Sequence, residues 1–265
     1  MIPFFRKLRK KMADDNRPIK PAWPAGRYAR YAIGEIILVV IGILIALQIN
    51  NWNEERKLAL EEIEILKSIK LDFINVIEEF EENNHFRKRV INATNSLYKI
   101  IQTEDHGFSN KQLDSIMATL FINPTYNNKT GTLEILFTSG KINLMSEPEI
   151  KNALIRWPQQ IDDVIEDEIY SSEYLRYDFY PLIRKYISIQ GVNKQIQYKN
   201  LELFDPSIIS GFKSDYEGLF KNIEFEGILA SRELALSVSL IQTNELIKNA
   251  QGIIEMIDAK IERQN

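Results

Sequence analysis

Between Tyr31 and Ile49 the chain runs YAIGEIILVVIGILIALQI, nineteen residues in which Glu35 and Gln48 are the polar interruptions. At about 1.5 Å rise per residue such a helix is roughly 28 Å long, close to the roughly 30 Å of bilayer hydrocarbon. The run therefore predicts one membrane-spanning helix, bounded at residues 28–51. A cleaved signal peptide would carry a shorter apolar stretch of about 7–15 residues and small residues at its cleavage site. Here about thirty residues precede the run, and Ala46-Leu47-Gln48 is a poor site. The expectation is an uncleaved anchor.

Beyond the run the pattern changes to the three-and-four spacing of amphipathic helices. Leu66, Ile69, Phe73, Val76 and Phe80 form such a stripe within a breaker-poor stretch from Glu54 to Ile101, which predicts a long helix continuing from the membrane. Ser109 or Asn110 is placed to cap a short helix through Phe121, and Thr132–Ser139 predicts two turns stopped by Gly140. Ser146-Glu147-Pro148-Glu149 has the form of a capping box with proline in the first turn. The helix it opens would bury Ile150, Leu154, Trp157, Ile161 and Val164, with Pro158 as a kink. From Ile187 to Pro206 the helical period is lost and a loop is predicted. Near the end, Leu236, Leu240, Thr243, Ile247, Ala250, Ile254, Ile257 and Ile261 alternate four and three, a seam of coiled-coil grade. It suits either a second copy or antiparallel packing on the Leu66–Phe80 stripe, and intramolecular packing is the default because the first and last helices match in length. The fold class is all-α: one N-terminal transmembrane helix followed by an extracytoplasmic helical bundle with long first and last helices.

Charge orients this arrangement. Nine bases, from Arg6 to Arg30, precede the run against Asp14 and Asp15, so the positive-inside rule holds residues 1–27 in the cytoplasm. Setting those nine bases, the two acids and Glu35 aside from totals of 33 and 37 leaves 24 bases and 34 acids, a formal charge of −10 for residues 52–265. An acidic exterior argues against nucleic acid as a partner. Tyr28, Tyr31 and Trp52 suit the aromatic belts at the two interfaces. Within the first twelve residues Met1, Phe4, Phe5, Leu8 and Met12 share one helical face, which fits either an amphipathic helix on an anionic leaflet or an unstructured basic segment before Pro18, Pro21 and Pro24.

Candidate chemistry is sparse. With no cysteine there is neither disulfide nor thiol chemistry, and His85 and His106 stand apart from any metal-ligand spacing, so neither a metal nor a cofactor is expected. There is no phosphate-binding glycine loop, nucleophile elbow or zinc-protease helix motif, hence no catalytic residue and no enzyme is expected. The acid runs Asp162-Asp163 and Glu166-Asp167-Glu168 read as a solvated face. Tyr170, Tyr174 and Tyr177 are candidates to line a ligand groove, against ordinary packing at the bundle edge. Glu35 needs a reason, since a charged carboxylate in hydrocarbon is costly. Tyr31, Glu35, Gly42 and Ala46 share one helical stripe, and Gly42-xxx-Ala46 permits close helix approach. That stripe suits a helix–helix interface locked by Glu35, or a shallow interfacial glutamate with ordinary membrane glycines.

Two blocks resemble a known family. Tyr31 to Glu54 (YAIGEIILVVIGILIALQINNWNE) and Thr132 to Met145 (TLEILFTSGKINLM) are similar to the two recognisable blocks of an uncharacterised family of Gram-negative membrane proteins, domain of unknown function 6090. The resemblance implies a single-pass envelope protein of the inner membrane, its C-terminal domain periplasmic, with no activity to carry over. Gly34, Glu35, Asn50, Asn51 and Trp52 match the motif's polar positions, and Asn53 and Glu54 complete it at the interface; Gly34 thus joins the membrane-helix set. The expected function is a non-enzymatic anchored interaction or assembly module. It would act in the lipid bilayer with a second copy or a membrane-protein partner. The alternative is a ligand-binding sensor ectodomain that signals through a membrane partner.

Overall fold

The computed structural model describes residues 24–103, 107–127, 130–196, 205 and 207–264, with side chains from Tyr31 onward. The expected amphipathic segment Met1–Met12, the prolines Pro18 and Pro21, His106, and residues 197–204 and 206 of the expected loop lie outside the described residues. All regular structure among the described residues is helical. Helix α1 is Pro24–Ile101, α2 Asn110–Leu120, α3 Gly131–Thr138, and α4 Pro148–Tyr174, running into a π-turn at Leu175–Phe179 and the short α5, Tyr180–Ile183. Then follow α6 Ile189–Asn193, α7 Tyr216–Phe220 and α8 Ile223–Gln264. The chain divides into two compact units, Met1–Ala59 and Leu60–Asn265.

The first unit carries the apolar length of α1. Proline opens that helix at Pro24, where its missing N–H costs nothing and its fixed φ suits the first turn. Among the described residues this is the one helix long and apolar enough to cross a membrane, with mean hydropathy 2.6 over a window that is 0% buried by protein. Ile36, Val39, Ile43 and Leu47 are all exposed. So large an open apolar surface is foreign to a water-soluble face and suits a hydrocarbon environment.

The second unit is built on three long helices: α1 from Leu60 onward, α4 and α8. Two apolar layers fill it. In one, Leu66–Phe80 of α1 meets Ile150–Val164 of α4 and Leu246–Ile257 of α8, with Leu133, Leu136 and Met145 from the α3 region. In the other, Val90–Ile100 of α1 meets Leu175–Ile183 and Phe225–Leu236, closed by Leu113, Met117 and Leu120 of α2. The numbering fixes direction: α4 runs parallel to this part of α1, and α8 antiparallel. Trp157 and Phe73, both fully buried, meet edge to face at 4.7 Å between ring centroids.

Between the layers all three helices turn polar at one level. Asn83, Asn84 and Arg87 interrupt α1, Glu168 and Ser171 interrupt α4, and Ser239 and Thr243 interrupt α8, all buried. Arg87 Nη2 donates to Glu168 Oε1 and Nη1 to Asn84 Oδ1 at 2.9 Å, while Thr243 Oγ1 donates to Asn84 Oδ1 at 2.7 Å. Glu168 Oε2 accepts the Tyr126 amide at 2.7 Å. Buried polar groups tied to one another in this way set the register of the helices, because a slip would strand each of them in apolar surroundings.

Several sequence expectations change here. Ser146 is not a helix cap: Glu147 occupies that position without a side-chain bond, and Ser146 instead donates to the buried Glu62 and accepts from Lys260 Nζ at 2.8 Å. Helix α4 continues through Pro158 to Tyr174. The stretch after Ile187 contains α6, capped by Ser188, rather than loop alone. The α8 seam packs within its own chain, and its buried face takes in Ser239, Leu246, Ile253 and Lys260, leaving Leu240, Ile254 and Ile261 half-buried beside it. Glu168 is not part of a solvated acid face, since its carboxylate is buried against Arg87.

Candidate functional site

The first set of expected site residues lies on α1. Because the helix is regular there, Tyr31, Glu35, Gly42 and Ala46 fall on one stripe, with Gly34 beside it. A Cβ added at Gly34 or Gly42 would meet nothing within 4 Å, so the space over both glycines is open. Asn50, Asn51, Trp52, Asn53 and Glu54 follow on the same helix and are exposed.

The second set lies in the bundle, where α4 and α8 part enough to leave a groove of about 230 Å³. Tyr170 and Tyr174, one helical turn apart, form one wall with their rings stacked at 6.5 Å. Leu234, Ala235 and Val238 of α8 form the other. Ser171 and Ser231 add hydroxyls, and Asp167 a carboxylate. Tyr177 does not join them: it stands exposed with the Arg176 guanidinium 5.6 Å from its ring centre.

Arg232 also lines this groove, a residue that no motif or spacing in the sequence singles out. It follows Ser231 in a stretch of ordinary helical composition, and nothing local distinguishes it from a surface base. In the fold it is 1% exposed. Its Nη2 donates to the Ile122 carbonyl at 2.5 Å, while Nε and Nη1 have no hydrogen-bond partner among the described residues. Burial lowers its pKa to about 10, opposed by the neighbouring Tyr180 phenol, so the guanidinium is still a cation at neutral pH. No acid among the described residues forms an ion pair with it, whereas Arg87, equally buried, has Glu168.

A third cluster joins Asp114 of α2 to Tyr216 of α7, whose hydroxyl donates to Asp114 Oδ1 at 2.5 Å. Burial pushes the Asp114 carboxyl above its ordinary range, against the lowering effect of the Tyr216 bond. The Tyr216 phenol is raised by burial first and by Asp114 second. Each group has a partner, so the pair reads as structural. Among the described residues no group of three or more His, Cys, Asp or Glu side chains could hold a metal ion.

Comparison with known proteins gives one family match: the model of a family of unknown function, DUF6090, matches residues 35–173. That span runs from within the apolar length of α1 through α2 and α3 to all but the last residue of α4. No curated protein and no solved structure matches the chain.

Proposed function

The chain belongs to the family of unknown function DUF6090, and from that premise we propose that it is a non-enzymatic, single-pass module of the bacterial inner membrane. In this reading the basic residues before Tyr31 keep the N-terminus in the cytoplasm, and the acidic helical unit works in the periplasm. The observation that carries it is the contrast within α1. Its first part is apolar and open all round, 0% buried by protein, whereas the Leu60–Asn265 unit is packed around two cores and a shared polar layer. The stripe of Tyr31, Glu35, Gly42 and Ala46, with open space over Gly42, supplies a close-packing face for a second crossing helix, from another copy or from a membrane-protein partner. Co-purification in mild detergent after crosslinking tests the proposal. A stoichiometric membrane partner or second copy is expected, and Glu35→Leu or Gly42→Leu should release it while membrane insertion persists. A wild-type chain recovered alone would sink the reading.

A second reading is favoured by a separate observation. The groove at Tyr170 and Tyr174 is also lined by Arg232, buried and without an ion pair among the described residues, which suits a ligand-binding ectodomain that reports through a partner.

A further inference from the structure

Resting on that second reading, we propose that the groove between α4 and α8 takes a small monocarboxylate with an apolar or aromatic body, its carboxylate paired with Arg232. Arginine carries five N–H donors and no acceptor. Here one nitrogen is used by the Ile122 carbonyl, and Nε and Nη1, with three N–H bonds between them, have no partner among the described residues. A buried cation without counter-ion is costly, and its removal from water is offset when an anion with hydrogen-bonding oxygens reaches it. The chain does offer such a partner to its other fully buried arginine, Arg87, in the form of Glu168. Among the described residues Arg232 has no equivalent, although Asp167 lines the same groove.

The surroundings narrow the ligand class. Arg232 and Asp167 leave the groove formally neutral, so a dianion such as a phosphate monoester would add two uncompensated negative charges where a monocarboxylate adds one. A single carboxylate pairs with Arg232 at the smaller electrostatic cost. The walls are the Tyr170 and Tyr174 rings on one side and Leu234 and Val238 on the other, which suits a flat or branched apolar body. A volume of about 230 Å³ suits a small acid rather than a peptide or a lipid.

The test uses the full-length chain in nanodiscs, titrated calorimetrically with benzoate and with its uncharged isostere benzamide. Benzoate is expected to bind at least about tenfold more tightly than benzamide. Arg232→Met should abolish that preference, and it should fold, because it replaces an unpaired buried charge by an apolar chain of similar length. Arg232→Lys, which keeps the cation, should retain a reduced preference. Equal binding of the two probes to the wild type, or a benzoate preference that survives in Arg232→Met, would overturn the pairing with Arg232 and leave the groove reading standing. Binding of neither probe at millimolar concentration would overturn the groove reading together with this inference.

Discussion

At the residue scale, the two buried arginines differ in consequence. Arg87 is matched to Glu168, and burial raises the carboxylate pKa while the Tyr126 amide and the arginine itself hold it down. Removing one member leaves the other charged and stranded, so Arg87→Met should cost about 3–5 kcal/mol by urea denaturation. The double variant with Glu168→Gln keeps an acceptor for the Tyr126 amide and should recover most of that loss. Neither partner was legible locally. Glu168 ends an acid run that looks solvated, and its counter-ion lies 81 residues away in the chain. Asp114 gives a pH signature of its own. Its folded pKa is raised above the ordinary 3.8, so the folded state holds the proton more firmly than the unfolded. The associated stability is present at low pH and declines as pH rises through the folded pKa. In melts taken as pH rises from about 4, Asp114→Asn should show a smaller loss of stability than the wild type, because the share that comes from Asp114 is gone.

At the scale of elements, local signals worked where the partners are a few residues apart. Ser109 accepts from the Gln112 amide and Gln112 reaches back to the Ser109 amide, a complete capping box. Ser109→Ala should cost about 1 kcal/mol. Gly140 sits at φ 71°, the left-handed position that ends α3, and Gly140→Ala should cost about 1–2 kcal/mol in thermal melts. Ser146 has the same local signature as Ser109 and a different fate. Glu62, from α1, and Lys260, from α8, are both buried beside it, and its hydroxyl donates to the first and accepts from the second. Ser146→Ala should therefore lower stability without shortening α4 by hydrogen exchange, the reverse of what loss of a cap would do. The α8 seam was likewise visible as a stripe, but its centre is set by which residues α1 and α4 leave room for.

At the scale of the molecule, the Leu60–Asn265 unit holds both cores, so residues 60–265 expressed alone should unfold in one cooperative transition by circular dichroism. Trp157→Ala, in the middle of one core, should cost about 3–5 kcal/mol. The sequence alone determined an apolar stretch long enough to cross a membrane, the all-helical class, the long first and last helices and their apolar faces. These depend on composition and on periodicity within one element, which bilayer thickness and helix geometry read directly. The polar layer, the reassignment of Ser146 and Glu168, and the isolation of Arg232 were decided only by tertiary structure. A buried charge is defined by what stands across from it, and those partners come from helices whose spacing in sequence carries no trace of their contact.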